Sequence, residues 1–277
     1  PRARAGPPLL GVLVLKRKKG AGLAVLDFSG TLSLGAVHFG RPRKLERALQ
    51  ESGLAALGLS PKSFWSELIN PAWEEGSTGS IGYRRLLCEG VRRLAAARGE
   101  NPSPEAVWAA AGRFTASYLR SSTIEPEWVP FLRRLAGQKV IAVATDHYAE
   151  ATVHIIQQLA ALGLDAAPAR QAQPGQILVA NSADLGYHKE NPNFWKALRQ
   201  CLEPANFYSV AIVDDFGHNE QADDSYAAAE KIPARQAATV KAITSAWQIP
   251  VNVFPFLLHC KDEFPALVAA AGRFLME

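Results

Sequence analysis

The sequence predicts an α/β protein whose parallel sheet is interrupted, after its first strand, by a long helical insert. In the second half of the chain, short apolar runs typical of buried strands alternate with amphipathic helical stretches. Between residues 33 and 136, apolar residues instead recur at spacings of three and four, which predicts helices. Strands that alternate with helices form a parallel sheet covered on both faces, so we expect a three-layer core.

The first strand is predicted at residues 22–27, an apolar run that ends in an acid and precedes the turn residue Gly30. The insert follows, and segments rich in proline and glycine separate its helical stretches. These stretches cover residues 43–57, 81–98 and 104–119.

Strand and helix patterns alternate again after Gly137. The predicted strands cover residues 139–144, 177–180, 207–213 and 251–254. The predicted helices cover residues 149–162, 193–202, 220–230, 240–247 and 264–275. We therefore expect three parts: an α/β domain from residues 21–32 and 137–277, a helical domain at 33–136, and a basic N-terminal extension at 1–20.

The charge distribution argues against a nucleic-acid partner. The net charge is +4, but residues 1–20 carry six basic and no acidic residues, so the rest of the chain is net −2. There is no run of about 18 apolar residues that would predict a membrane span. Cys88, Cys201 and Cys260 have no CxxC spacing, so we expect neither disulfides nor a zinc site, and a cytoplasmic location is the default. The sequence leaves the oligomeric state open.

Polar residues follow the predicted strands and should meet in one site, because ligands of open parallel sheets bind at the carboxyl ends of the strands. Asp27 follows the first strand, Thr145 the second, and Asp214 and Asp215 the strand at 207–213. Lys189 precedes a helix. Such a set suits phosphoryl transfer: a carboxylate can attack phosphorus, cations and hydroxyls stabilise the phosphoryl oxygens, and carboxylates hold Mg²⁺.

Four motifs in this order make the chain resemble the haloacid dehalogenase superfamily. Each follows a predicted strand or precedes a helix, and the resemblance runs from about residue 20 to the end. It implies a Rossmann-like core and puts the insert where this superfamily carries a mobile helical cap. The motifs are DxxGT (Asp27, Gly30, Thr31), a strand-end threonine (Thr145), GxxK before a helix-start proline (Gly186, Lys189, Pro192) and DDxxxNE (Asp214, Asp215, Asn219, Glu220).

The resemblance also implies a role for each matching residue. Asp27 is expected to be the nucleophile that becomes an aspartyl phosphate, and Thr145 and Lys189 to stabilise the phosphoryl group. The expected substrate is a small phosphorylated molecule. The residues expected to bind its phosphate are Gly30, Thr31, Thr145, Asp146 and Lys189. The groups expected to hold Mg²⁺ are Asp27, the backbone carbonyl of Ser29, and Asp215, with Asp214 and Glu220 as helpers.

Ser29 departs from the family pattern, since the phosphatases of the superfamily have a second aspartate two residues after the nucleophile. That acid protonates the leaving group and then activates water, and serine does neither near neutral pH. We therefore expect slow hydrolysis, a substrate that carries its own acid, or a substitute acid or base nearby; a good leaving group would need less proton assistance. The histidines near the predicted site are candidates for that substitute, His147 and His218 first: His38, His147, His188 and His218.

Two alternatives stay open at this stage. One is another hydrolase of the superfamily. A phosphonate hydrolase would need a lysine from the cap, where Lys44 and Lys62 are available. A dehalogenase would need no metal ion, so the acids at 214 and 215 argue against a dehalogenase. The other is a binding protein that retains the fold, which Ser29 makes plausible.

Two further groups of residues are expected to have structural rather than catalytic roles. The predicted helix at residues 220–230 carries Asp223 and Asp224, which are expected to be solvated first-turn acids. The tryptophans near the glycine-rich stretch at 76–82, Trp65 and Trp73, are expected to pack in the core of the insert, although a cap loop that touches substrate would lie in this region.

Overall fold

The computed structural model describes residues 21–202, 207–221 and 223–277. The basic extension predicted at residues 1–20 lies outside these ranges. The six strands form one sheet in the order β3-β4-β2-β1-β5-β6, and their pairings are parallel. Their bounds are Ala21–Leu26 (β1), Val140–Thr145 (β2), Ala166–Pro168 (β3), Ile177–Asn181 (β4), Phe207–Asp214 (β5) and Val251–Pro255 (β6).

Twelve α-helices accompany the sheet in the described ranges. In the insert they are Leu34–Phe39 (α1), Pro42–Ser52 (α2), Pro61–Ser63 (α3), Asn70–Thr78 (α4), Tyr83–Ala97 (α5) and Pro104–Ser121 (α6), with a π-helix at Phe64–Ile69. The others are Val129–Ala136 (α7), Glu150–Ala161 (α8), Ser182–Leu185 (α9), Pro192–Leu202 (α10), Ile232–Trp247 (α11) and Phe264–Met276 (α12). Of the helices described, none has the length and apolar character that crossing a membrane requires.

The sheet is the middle of three layers, as predicted. Successive residues of a strand point to opposite faces, so alternate positions of β1 enter two different hydrophobic clusters. Ala24 and Leu26 belong to the cluster that includes residues of α7, α8 and α12. Leu23 and Val25 belong to the cluster that includes residues of α10 and α11. The predicted α/β fold with a parallel sheet is thereby confirmed.

The insert has a hydrophobic core of its own. Side chains of α2, α5 and α6 and of the π-helix form a third cluster, which Tyr148 joins from the loop after β2. Residues at the end of the predicted insert pack differently, because Ile124, Trp128 and Leu132 belong to a cluster of the sheet. The insert therefore lies over the carboxyl end of β2 and is held there by contacts with the α/β layer.

One predicted helix does not form. Residues 220–230 were expected to be helical, but among the described residues this segment contains turns and the short 3₁₀ helices Ser225–Ala227 and Ala229–Lys231. Asp224 caps the first of these by accepting a hydrogen bond from the amide of Tyr226, a local bond that competes with α-helix formation. Helix α11 instead begins at Ile232, before the predicted start at residue 240, with a proline in its first turn.

The short edge strand β3 carries no signal in the sequence. It has three residues, Ala-Ala-Pro, and none of them favours a strand. Its place beside β4 comes from tertiary pairing, in which Ala166 lies opposite Ile177.

Candidate active site

The carboxyl ends of β1, β2 and β5 bring the predicted functional residues together. Asp27 directly follows β1, Thr145 is the last residue of β2, and Asp214 is the last residue of β5. These strands are neighbours in the sheet, in register, so their ends meet at the same edge. The loop between α9 and α10 supplies Lys189 to the same place.

Lys189 connects two of the acids. Its ammonium nitrogen donates hydrogen bonds of 2.6 Å to Asp27 Oδ1 and of 2.6 Å to Asp214 Oδ2. The side chain is buried, which disfavours its charge, but the carboxylates of Asp214 and Asp27 outweigh burial and hold the pKa of Lys189 well above its usual value. The ammonium is therefore charged and fixed beside the predicted nucleophile.

The three neighbouring aspartates carry more negative charge than one lysine can balance. Carboxylate oxygens of Asp27, Asp214 and Asp215 all lie within 4.8 Å of one another. Burial, which outweighs the ammonium of Lys189, raises the pKa of Asp27 well above its usual value. Burial and the charge of Asp214 raise the pKa of Asp215 to about 7. A cluster of hard oxygen donors with excess negative charge fits a divalent cation such as Mg²⁺.

Asp215 is held by the backbone around it. Its two carboxylate oxygens accept hydrogen bonds from the amides of Gly217 and Asn219, at 3.1 and 2.8 Å. The side-chain amide of Asn219 donates in turn to the carbonyl of Gly30, at 2.7 Å. Gly30 has φ +77° and lies so close to the Asp215 carboxylate that a Cβ atom there would overlap it. The glycine of the first motif therefore makes room for the aspartate of the last.

Ser29 is bonded to an acid. Its hydroxyl donates a hydrogen bond of 2.7 Å to Glu220 Oε1. Removal from water, followed by the charges of Asp224 and Asp215, raises the pKa of Glu220 well above its usual value. Glu220, which was predicted to help hold the metal, lies outside the group formed by Asp27, Asp214 and Asp215.

Two buried threonine hydroxyls at the site have no hydrogen-bond partner in the described part of the chain, those of Thr145 and Thr31. Thr145 lines the cavity described below, whereas Thr31 and Gly30 do not. The backbone carbonyl of Thr31 accepts a hydrogen bond from the Trp128 indole, at 2.9 Å. Thr145 is therefore positioned to contact a bound molecule, and Thr31 and Gly30 shape the loop.

Asp146 does not present a free carboxylate. Its Oδ1 accepts a hydrogen bond of 3.0 Å from the amide of Lys189, and its Oδ2 accepts one of 3.3 Å from the hydroxyl of Tyr226. Burial raises its pKa. The Asp146 side chain, predicted to bind phosphate, thus holds the loop that carries Lys189.

A cavity of about 80 Å³ lies between this edge of the sheet and the insert. Its charged lining residues are Asp27, Asp146, Lys189, Asp215, Glu220 and Asp224. Its aromatic lining residues are Phe39, Phe64, Trp65, Trp73, Tyr83, Tyr118, Tyr148 and Tyr226. The sheet edge thus supplies most of the charges, and the insert supplies most of the aromatic rings.

Of the four histidines proposed as substitute acids, His147 lines the cavity. Its Nδ1 accepts a hydrogen bond from the amide of Tyr148, so the neutral ring carries its proton on Nε2 and donates it to the hydroxyl of Tyr118, at 2.8 Å. Burial lowers its pKa to about 4. His147 is therefore neutral near pH 7, with both ring nitrogens engaged.

The other three histidines do not line the cavity. His188 is hydrogen-bonded to Ser77 and lies beside Glu74. Burial, followed by the charge of Arg41, lowers the pKa of His38 to about 4. His218, the other leading candidate, packs edge-on against His259.

Several residues that line the cavity were not predicted from the sequence to do so. Asp224, expected to be a solvated helix acid, lines the cavity because the predicted helix around it does not form. Trp65 and Trp73 line the cavity as well as packing against the core of the insert. No function was assigned to Tyr118 and Tyr226 from the sequence. An aromatic residue on a predicted helix face shows the same sequence pattern whether it packs in a core or lines a cavity.

Comparison with known proteins identifies the fold. No protein-family model and no curated protein matches the sequence. A haloacid dehalogenase (HAD) family enzyme from Bacteroides thetaiotaomicron superposes with a TM-score of 0.50 at 12% identity, over 88% of this chain and 98% of that one. A 2-haloacid dehalogenase from Pseudomonas syringae pv. tomato gives 0.49 at 19% identity, over 90% of this chain and 99% of that one.

At such low sequence identity, the superposition shows the fold but not the reaction. The comparison with the Bacteroides enzyme agrees with the parallel sheet described above and with the resemblance drawn from the four motifs. The chain has the fold of the HAD-like hydrolases.

Proposed function

We propose that this protein is a Mg²⁺-dependent phosphohydrolase that acts on a small phosphorylated molecule through an aspartyl-phosphate intermediate. The observation that carries the proposal is the buried arrangement of Asp27, Lys189 and Asp215 at the sheet edge. It combines a carboxylate nucleophile, a fixed cation and a cluster of hard oxygen donors. Phosphoryl transfer through an aspartyl phosphate uses these three components.

In this mechanism, Asp27 attacks the phosphorus atom. A bond forms between a carboxylate oxygen and phosphorus while the bond from phosphorus to the leaving oxygen breaks. Lys189, 2.6 Å from Asp27 Oδ1, opposes the effect of burial on the pKa of Asp27, so it favours the charged form of the nucleophile and balances the phosphoryl oxygens. The buried hydroxyl of Thr145 has no partner in the described protein and donates to one phosphoryl oxygen. Water then hydrolyses the acyl phosphate and regenerates Asp27.

The fit of Mg²⁺ rests on the three aspartates whose oxygens lie within 4.8 Å of one another. Asp27 and Asp215 would hold it together with the backbone carbonyl of Ser29. When bound, Mg²⁺ supplies charge that stabilises the phosphoryl oxygens. Asp214 is the partner of Lys189 and contributes negative charge nearby.

Ser29 limits the rate in this proposal. A general acid typically contributes about 10²–10⁴-fold to such reactions, and the side chain at position 29 cannot donate a proton at neutral pH. The departing oxygen must therefore leave with little proton assistance, or with the help of a group other than Ser29. Substrates that have a good leaving group, or that carry their own proton donor near the departing oxygen, are expected to react fastest.

Two alternative reactions have less support. A phosphonate hydrolase would use a lysine of the insert, but Lys44 and Lys62 are exposed and do not line the cavity. A dehalogenase needs no metal ion, whereas the three clustered aspartates fit one.

Phosphate release from p-nitrophenyl phosphate and acetyl phosphate, measured with Mg²⁺ and with EDTA, tests the proposal. Release that requires Mg²⁺ and is lost in Asp27→Asn is expected. Asp262→Asn, a change of an exposed acid, is the matched control and should behave as wild type. A folded wild-type protein that releases no phosphate from either compound, or an Asp27→Asn variant that retains activity, would contradict the proposal.

A further inference from the structure

Four aromatic side chains form one wall of the cavity. Tyr83 and Tyr148 stack face to face, with ring centroids 4.2 Å apart and an interplanar angle of 8°. The ring of Trp73 packs edge-on against Tyr148 at 5.5 Å and against Tyr226 at 5.7 Å. The four rings join three parts of the chain: the insert, the loop after β2 and the segment after β5. Tyr83 and Tyr148 cover one face of each other, and Trp73 stacks on His188 with ring centroids 6.0 Å apart, so each of these rings has one face left for a ligand. An aromatic face can bind an organic cation.

Asp224 lies beside these rings. One of its carboxylate oxygens accepts a hydrogen bond of 2.8 Å from the amide of Tyr226. Burial, followed by the charges of neighbouring groups that include Asp224, raises the pKa of Tyr83 and of Tyr148. No lysine, arginine or histidine forms an ion pair with Asp224 among the residues that the structure describes. Burial raises the pKa of Asp224, so a cation bound beside it would stabilise its charged form.

The nearest basic residue of the segment is already engaged. Arg235 donates a hydrogen bond of 3.1 Å to Glu190 and one of 2.7 Å to the carbonyl of Phe216. Its guanidinium lies over the ring of Tyr226, 3.5 Å from the centroid. One face of the Tyr226 ring thus already binds a cation in this structure.

The charge balance of the cavity favours a positively charged ligand group at this wall. Within the described ranges, five acidic side chains and one lysine line the cavity. The lysine is committed to Asp27 and Asp214, so it offers nothing to a group that lies against Trp73. An anionic leaving group would raise the pKa of Asp224 and of Glu220 further, whereas a cationic one would stabilise the charged form of both.

A second, independent observation points to a ligand at the same wall. The hydroxyl of Tyr148 is buried and has no hydrogen-bond partner in the described protein. Buried polar atoms in native structures are almost always hydrogen-bonded, so an orphaned one calls for an explanation. A ligand that carries N–H donors would satisfy it.

We propose that Asp224 and the ring cluster recognise a protonated amine on the leaving group. The ring cluster consists of Trp73, Tyr83, Tyr148 and Tyr226. The substrate class is then the phosphate monoesters of small amino alcohols. The inference rests on the proposed function, because it assigns the alcohol part of the ester that Asp27 attacks. The ammonium N–H groups donate to the Asp224 carboxylate and to the Tyr148 hydroxyl, and the aromatic faces contribute cation–π attraction.

The test compares two phosphate esters that differ in one group. In 2-aminoethyl phosphate a protonated amine occupies the place of the terminal methyl group of propyl phosphate. The kcat/KM for phosphate release is expected to be about tenfold or more higher for the amino ester. Asp224→Asn should lower this ratio toward one, whereas Asp223→Asn, which changes the neighbouring exposed acid, should leave it unchanged. A wild-type ratio near one, or a ratio that Asp224→Asn does not change, would overturn the inference.

Failure of the inference is distinguishable from failure of the proposed function. If acetyl phosphate is hydrolysed but the amino ester has no advantage, the function stands and the inference falls. If no ester is hydrolysed, the function falls, and calorimetric titration with 2-aminoethanol and with 1-propanol tests the amine site alone. Tighter binding of 2-aminoethanol that Asp224→Asn abolishes would support the site, and equal binding of the two alcohols would overturn it.

Discussion

The hydroxyl of Ser29 donates a 2.7 Å hydrogen bond to the carboxylate of Glu220, which lies 191 residues later in the chain. The bond joins the loop after β1 to the loop after β5, and both residues line the cavity. Position 29 carries no acid, but an acid lies in contact with it. Any carboxylate introduced at position 29 will therefore interact with Glu220.

This contact predicts the effect of restoring an aspartate. In Ser29→Asp alone, two carboxyl groups share one place, so one of them stays protonated and bonded to the other, and the rate gain is small. In Ser29→Asp/Glu220→Gln, the new aspartate has an amide partner and can serve as acid and base. Steady-state phosphate release by the double variant should exceed that of wild type by about tenfold or more. If Ser29→Asp alone is as fast as the double variant, Glu220 does not restrain position 29.

Lys189 is predicted to be essential for stability as well as for activity. Lys189→Met leaves Asp27 and Asp214 buried without their common cation, and breaking a buried ion pair in this way costs about 3–5 kcal/mol. Urea unfolding of the metal-free protein at pH 7 measures this loss. Adding Asp27→Asn to Lys189→Met removes one of the stranded charges and should recover part of the stability. A double variant less stable than Lys189→Met would contradict the electrostatic explanation.

Acid should destabilise the protein through His147. Burial lowers its pKa from the usual 6.5 to about 4, so the unfolded chain binds a proton in this range that the folded chain does not. The contribution of His147 to the free energy of unfolding is fully present above pH 6.5. As the pH falls from 6.5 toward 4, the free energy of unfolding decreases through this group by about 3 kcal/mol in total. His147→Asn should flatten the pH dependence of the unfolding free energy over this interval.

The control for this prediction is Tyr118→Phe, which removes one of the hydrogen bonds of His147 but keeps its imidazole. It should leave the slope of the unfolding free energy against pH as in wild type. The slope is the readout, because His147→Asn also alters hydrogen bonds to Tyr148 and Tyr118 and so changes the absolute stability. An unchanged slope in His147→Asn would mean that other groups bind the proton.

Gly30 is predicted to be required for a steric reason beyond its backbone conformation. Gly30 and Gly163 have nearly the same φ, +77° and +75°, but a Cβ at Gly163 meets nothing within 4 Å, whereas one at Gly30 overlaps the Asp215 carboxylate. Both alanine variants incur the left-handed backbone penalty of about 1–2 kcal/mol. Gly30→Ala should also lose phosphate release, and Gly163→Ala should retain it. Equal activity in the two variants would show that Asp215 tolerates displacement.

The sheet and the residues at its edge could be predicted from the sequence because each depends on local pattern. Apolar runs predict β1, β2, β4, β5 and β6, and parallel pairing then requires that the residues after β1, β2 and β5 meet. The contact between Lys189 and Asp27 follows from that topology and from motif order. Charges at strand ends were thus the most predictable part of the site.

The wall of the cavity that the insert supplies could not be predicted in the same way. A helix pattern identifies a buried face but does not say whether that face packs on a core or lines a cavity, and Trp73 does both. The segment around Asp224 has helical periodicity, yet the hydrogen bond from Tyr226 to Asp224 and the stacking of Arg235 on Tyr226 hold it in short turns. The first outcome depends on contacts between residues distant in sequence, and the second on short-range contacts that compete with an α-helix.

Thr145 provides the sharpest separation of function from stability. Its buried hydroxyl has no partner in the described protein, so Thr145→Val removes no internal hydrogen bond and should leave the unfolding free energy equal to or above that of wild type. If the hydroxyl donates to a phosphoryl oxygen, the same change removes a hydrogen bond to a charged group, worth about 1.5–3 kcal/mol, and lowers kcat/KM by about 10- to 100-fold.

Thr115→Val is the matched control, because Thr115 has an equally buried and unpartnered hydroxyl but lies on α6 and does not line the cavity. Thr115→Val should match wild type in kcat/KM, so a similar loss in both variants would point to a structural effect, and no loss in Thr145→Val would remove Thr145 from the phosphate site.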